Sequence, residues 1–153
     1  MGRPLSLLRD SAGMAAVELA LAAPILAAVV LGLIDISTSY SEKMRLEQIA
    51  HRTIERVQVS QFKTSMETTL ETEAQTEAGT GSTADLTYWL ECNGTKMTAT
   101  SAWAAGCAPT QIIGRYVQVD VQKPHTPMFF SRWAGSNTNG SITLHGVAGV
   151  RIQ

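Results

Sequence analysis

An almost uncharged apolar run lies close to the start of the chain. Residues 14–34 read MAAVELALAAPILAAVVLGLI, and Glu18 is the only ionisable side chain among them. As an α-helix this run of 21 residues would be about 31 Å long, close to the hydrocarbon thickness of a bilayer. The pattern therefore predicts a membrane-spanning helix over residues 14–35, with a bend at Pro24.

After the apolar run the pattern becomes that of an amphipathic helix. Apolar residues recur mostly at three- to five-residue steps between Tyr40 and Leu70, and charged residues fall between them. Residues 33–78 contain no Pro or Gly, so we expect the helix to continue outside the membrane over residues 36–71. Residues 72–84 are polar and include two glycines, which indicates a linker.

The second half of the chain has the patterns of β-strands. Residues 86–90 are β-prone, residues 115–122 alternate as RYVQVDVQ, and residues 142–145 and 147–152 form two further short runs. Asn-Gly pairs after Cys92 and Thr138 are hairpin-turn signals. We expect an α+β fold in which the long N-terminal helix packs on a small antiparallel sheet of about four strands, within a β-rich domain of residues 85–153.

Composition argues against several classes of function. Charged residues make up 16% of the chain and the net charge is −1, so no basic surface for nucleic acid is expected. The three histidines, His51, His125 and His145, accompany no recognisable nucleophile, dinucleotide or metal motif. We therefore expect no enzymatic activity, no metal and no cofactor.

Two cysteines, Cys92 and Cys107, lie fifteen positions apart in the β-rich half. If this half lies outside the cytoplasm, a disulfide between them is expected, and it would stabilise the domain by roughly 3 kcal/mol. The alternative is a pair of buried free thiols.

The residues before the apolar run indicate both orientation and processing. Residues 1–13 form a short leader with Arg3 and Arg9, and arginines on this side favour a cytoplasmic N-terminus. A lone carboxylate such as that of Glu18 costs about 2.5 kcal/mol or more at membrane depth, unless it lies near the interface and stays hydrated. Cleavage after Gly13 would give Met14 a free amine one helical turn from Glu18. At 4 Å and an effective dielectric of 20 that pair would gain roughly 4 kcal/mol.

These residues carry a family resemblance. Residues 9–24, RDSAGMAAVELALAAP, resemble the N-terminus of TadE-like proteins, minor pseudopilins of tight-adherence (Tad) pilus systems in the type IV pilin class. The resemblance implies that a prepilin peptidase cuts after Gly13, that Met14 becomes the N-terminus, and that Glu18 assists processing or assembly. Leu19 departs from the pattern, since an aromatic residue is common there.

The resemblance also implies a location and partners. It places the chain in a bacterial inner membrane, with the N-terminus in the cytoplasm and the C-terminal domain in the periplasm, from where the subunit enters or supports a pilus. The partners would be a prepilin peptidase, other pilin or pseudopilin subunits, the Tad membrane assembly platform and membrane lipid.

Three alternatives remain from the residues alone, of which a membrane-tethered enzyme would need a convergence of polar groups that the sequence does not reveal. An uncleaved bitopic anchor that displays a periplasmic binding or sensing domain would share the topology without needing Gly13 or Glu18. A secretory signal would use the Ala-x-Ala match at residues 20–22, although cleavage there would remove only part of the apolar run.

The aromatic segment from Pro124 to Trp133 either covers the sheet core, which we favour, or forms a partner surface.

Overall fold

The chain forms a long helix followed by a four-stranded antiparallel sheet. The computed structural model describes residues 11–97, 102–129 and 138–153. Over these residues the elements are α1 (Ser11–Ser60), a short 3-10 helix (Thr64–Met66), α2 (Glu67–Ala78), β1 (Thr83–Cys92), β2 (Thr95–Lys96), α3 (Ala102–Ala105), β3 (Ile113–His125) and β4 (Ile142–Arg151). The sheet order is β2-β1-β3-β4. The predicted α+β class is confirmed.

Helix α1 is shorter than the sequence pattern predicted. It ends at Ser60 and not at Glu71, because Gln61 takes a left-handed conformation with a φ of +51° and reverses the chain. The reversal brings Phe62 into the core, where its ring lies 5.4 Å from that of Tyr88. Burial of this aromatic ring favours the turn over a further helical turn in solvent.

Helix α2 occupies much of the segment that was expected to be a linker. It continues to Ala78 because Leu70, Ala74 and Ala78, at four-residue steps, are all buried against the core. The turn itself is confined to the residues after Ala78, where Gly79 and Gly81 have φ angles of +91° and +80°. Apolar contact therefore decides where this helix ends, although its sequence is polar.

The sheet is built on β3, which pairs with both β1 and β4. In β1–β3 the register runs from Thr83 opposite Gln122 to Cys92 opposite Ile113. The two apolar runs expected at the C-terminus form one continuous strand, β4, with Gly146 inside it. An ideal Cβ at Gly146 would lie 2.2 Å from the Leu46 carbonyl carbon, so glycine is what lets β4 lie against α1.

The core lies between the second half of α1 and one face of the sheet. The alternation in RYVQVDVQ places one side of β3 inward, and the fully buried side chains include Leu46, Ile49, Val57, Val117, Val119 and Val121. Burial of such side chains contributes about 1.5–3 kcal/mol each. Strand β3 runs back along α1, so its end at His125 lies at the same end of the domain as the apolar half of the helix.

The cysteines are joined, as the sequence predicted for an extracytoplasmic domain. Cys92 at the end of β1 forms a disulfide with Cys107, and their Cα atoms are 5.8 Å apart. The bond holds the segment that contains α3, whose Trp103 ring contacts Phe62 and Tyr88 at centroid distances of 5.7 and 5.2 Å. This aromatic cluster closes the end of the core that is far from the apolar half of α1.

Candidate functional site

The N-terminal half of α1 extends away from the folded domain. An 18-residue window of this helix has a mean hydropathy of 2.5, and only 6% of that window is buried. By length and composition the helix can cross a membrane. Its large apolar side chains are mostly more than half exposed, as for Met14, Val17 and Leu21 at 70%, 61% and 70%. A surface of this kind suits lipid or the apolar faces of other helices.

The predicted processing residues lie in the first turns of this exposed segment. Gly13 is exposed, and an ideal Cβ there would meet no described atom within 4 Å outside its own stretch of helix. The Gly13–Met14 bond lies within the described part of α1, close to Ser11, the first residue that the structure describes.

Glu18 is exposed and lies one turn after Met14 on the same helix face. No ion pair joins Glu18 to another residue in the described part of the chain. The next basic residue after it is Lys43, about 38 Å further along the helix. The described part of α1 before Lys43 therefore offers Glu18 no cationic side chain as a partner.

A second acidic residue, Asp35, marks the boundary between the exposed apolar helix and the folded domain. Asp35 is only 3% exposed. Its carboxylate accepts hydrogen bonds from the backbone N–H groups of Met128, at 2.9 Å, and Phe129, at 3.0 Å. Since a buried carboxylate is costly unless it is hydrogen-bonded, these contacts tie the turn after β3 to the helix. Sequence reasoning missed this role, and the only signal was an acid directly after the apolar run.

A basic residue on β3 makes a second tie near the same end of the domain. Lys123 Nζ donates to Glu42 Oε1 at 2.7 Å and to the Ala78 carbonyl at 3.1 Å. This one ammonium group therefore joins β3 to α1 and to the C-terminus of α2, where a cation is favoured. The hydrogen bond from Lys123 holds the pKa of the Glu42 carboxyl below its ordinary value of 4.5.

The aromatic segment after β3 divides into buried and exposed residues. Pro127 is buried, whereas Met128 and Phe129 are 78% and 48% exposed. For Met128 and Phe129 the favoured interpretation, that they cover the sheet core, is therefore wrong. Phe130 and Trp133 lie outside the described residues.

The histidines are spread over the domain. His51 is exposed on α1, His125 lies at the end of β3, and His145 on β4 lies 3.2 Å from the Asp120 carboxylate. Across the ranges that the structure describes, no group of three or more His, Cys, Asp or Glu residues could hold a metal ion. The features that stand out are thus those of the helix and its attachment.

Comparison with known proteins gave one match. The family model for TadE-like proteins matches residues 13–53. Searches of curated proteins and of solved structures found no match. The matched region begins at Gly13 and covers the exposed apolar helix and the first buried turns of α1, and the sheet lies beyond it. Over residues 13–53 the chain is therefore similar to TadE-like proteins, a family associated with the Tad pilus.

Proposed function

We propose that this protein is a minor pseudopilin of a Tad pilus, cut after Gly13 and assembled through the apolar half of α1. The observation that carries the proposal is the exposed, nearly uncharged part of α1 from Gly13 onward, in which Glu18 lies one turn after Met14. Arg3 and Arg9 before the helix favour a cytoplasmic N-terminus and a periplasmic sheet domain. The protein acts by association and not by catalysis.

Cleavage and charge pairing support one another in this mechanism. The amine of Met14 opposes the helix macrodipole, and a carboxylate in the first turns offsets it. The Glu18 carboxylate reaches its own Met14 amine or that of a neighbouring subunit. The attraction of roughly 4 kcal/mol at 4 Å is comparable to the cost of burying the acid, which is about 2.5 kcal/mol or more. A bundle of cleaved helices is thereby favoured, and its axial register is set by this pair.

The remaining apolar surface of the helix packs against neighbouring helices, and this packing does not by itself set their orientation. Small residues at positions 20, 22, 23, 27 and 28 allow neighbouring helices to approach closely. The partners are the prepilin peptidase, other pilin or pseudopilin subunits, the Tad assembly platform and membrane lipid. The subunit initiates or supports assembly of the pilus, and its sheet domain presents the contact surface in the periplasm.

The test is intact-mass and N-terminal analysis of the protein purified from its native membrane. We expect a chain that begins at Met14 and is two hydrogens lighter than its reduced form, because the Cys92–Cys107 bond is present. Gly13→Phe should retain the leader, whereas the control Gly32→Ala, in the same helix, should be processed normally. A wild-type chain that keeps residues 1–13 would overturn the pseudopilin mechanism and favour an uncleaved anchor that displays a binding or sensing domain.

A further inference from the structure

The turn that binds Asp35 lies at the level where the apolar helix meets the folded domain. Asp35 directly follows the apolar run of residues 14–34. Because the backbone N–H groups of Met128 and Phe129 bind its carboxylate, the turn is fixed at the end of that run and cannot move along the helix without breaking both bonds. If residues 14–34 span a bilayer, this turn lies at its outer surface.

The side chains on this turn are apolar and face solvent. Met128 is 78% exposed and Phe129 is 48% exposed, while their backbone is held by Asp35. Next to Asp35 on α1, Ile34 and Ile36 are 41% and 56% exposed. Two separate parts of the chain therefore present apolar side chains at one level along the helix axis. Phe and similar apolar side chains are those that enter the boundary between headgroups and acyl chains.

The charged residues of α1 do not oppose entry of this surface into the boundary. In α1 the residues from 19 to 41 include one charged side chain, Asp35, and it is buried under the turn. The next charged group, Glu42, pairs with Lys123, and their side chains are 22% and 23% exposed. Contact with lipid at this level thus exposes no unpaired charge of α1 to a low dielectric.

We propose that Met128 and Phe129 form a lipid-interface anchor, which Asp35 positions and which sets how the sheet domain sits on the outer surface of the membrane. Lipid is the expected partner because the turn lies at the same height along the helix axis as the end of the membrane-length apolar segment. This anchor rests on the membrane-spanning part of the proposed function and does not depend on cleavage after Gly13. The anchor gives α1 and the sheet domain a defined orientation before other subunits bind.

The experiment measures immersion of single nitroxide labels on the full-length chain in phosphatidylcholine vesicles, at no more than one chain per vesicle. Met128→Cys carries the label at the proposed anchor, and Leu26→Cys carries it within the apolar helix. Ile112→Cys is the matched control, since Ile112 is 72% exposed but precedes the far end of β3. The native cysteines are paired, so each introduced thiol is labelled alone. Power saturation then compares collision with membrane-dissolved oxygen and with a water-soluble nickel chelate.

We expect the ratio of oxygen to nickel accessibility at position 128 to be severalfold higher than at position 112. Adding Asp35→Ala should lower the ratio at position 128 and leave that at position 26 unchanged. Equal ratios at positions 128 and 112, with position 26 in lipid, would overturn the anchor alone. A water-accessible position 26 would also overturn membrane insertion, on which the proposed function depends. In vesicles that each carry many chains, dipolar broadening at position 128 would indicate a second copy of the chain on this surface and would overturn the assignment to lipid.

Discussion

The Asp35 carboxylate accepts a hydrogen bond from the backbone N–H of Met128, at 2.9 Å and across 93 positions of sequence. This contact joins the end of the apolar helix to the turn after β3. The Lys123–Glu42 pair makes a second link, between β3 itself and α1, two turns further along the helix. The domain is therefore attached firmly at its end nearest the apolar helix.

Replacing Asp35 tests the first link. Asp35→Ala leaves two backbone N–H groups without their acceptor, which should cost about 1–3 kcal/mol. Hydrogen exchange at the amides of Met128 and Phe129 should become faster, while exchange in the centre of β3 should change little. Ser37→Ala, an exposed change two residues away, is the control. Unchanged protection of both amides in Asp35→Ala would show that the carboxylate does not hold the turn.

Replacing Glu18 tests charge pairing in assembly. Glu18→Gln keeps the size of the side chain and removes its charge, so it should impair piliation while membrane insertion stays normal or improves. Glu18→Asp keeps the charge on a shorter side chain and should retain part of the activity. Surface pili are counted in cells that express each variant at equal membrane levels. Normal piliation with Glu18→Gln would eliminate charge pairing as the mechanism.

Gly146 tests the close contact of β4 with α1. An added methyl in Gly146→Ala would meet backbone atoms of Leu46 and Glu47 at 2.2–2.5 Å, so helix and strand must separate. We expect a loss of about 1–3 kcal/mol or more, as for other overpacked sites. Gly149→Ala in the same strand is the control, because its nearest contact is 3.4 Å. Thermal unfolding followed by circular dichroism should show a clearly lower Tm for Gly146→Ala only.

The Lys123–Glu42 pair predicts a dependence of stability on pH. Because the hydrogen bond from Lys123 lowers the pKa of Glu42 in the folded state, this pair contributes fully above the ordinary value of 4.5. The contribution is lost as the pH falls below 4.5 and the folded carboxyl takes up a proton.

Denaturation of wild type and Glu42→Gln at a series of pH values measures this effect. The difference in unfolding free energy between the two proteins should shrink as the pH falls through that range. Glu47→Gln, which removes a more exposed carboxylate 3.6 Å from Lys43, is the matched control and should show a smaller change. A constant difference between wild type and Glu42→Gln would contradict the assignment.

Local patterns in the sequence were sufficient for the elements whose causes are local. The apolar run of residues 14–34 predicts its helix because length and hydropathy need no partner. The alternation around Val117 and Val119 predicts a strand with one buried face, and Asn93-Gly94 predicts the β1–β2 turn, since both depend on neighbouring residues only. The Gly13, Met14 and Glu18 pattern is likewise local, so it could be found without a structure.

Contacts between distant residues decided the rest. Helix α1 ends at Ser60 because burial of Phe62 in the core beside Tyr88 is more favourable than a further helical turn in solvent. No Pro or Gly near Ser60 indicates this end in the sequence. The role of Asp35 depends on backbone N–H groups more than ninety positions away. The exposure of Met128 and Phe129 depends on how that turn is held. The sequence by itself determined the apolar helix, the strands and the residues of the proposed processing motif. Tertiary packing decided which buried polar groups are hydrogen-bonded and which apolar side chains stay exposed.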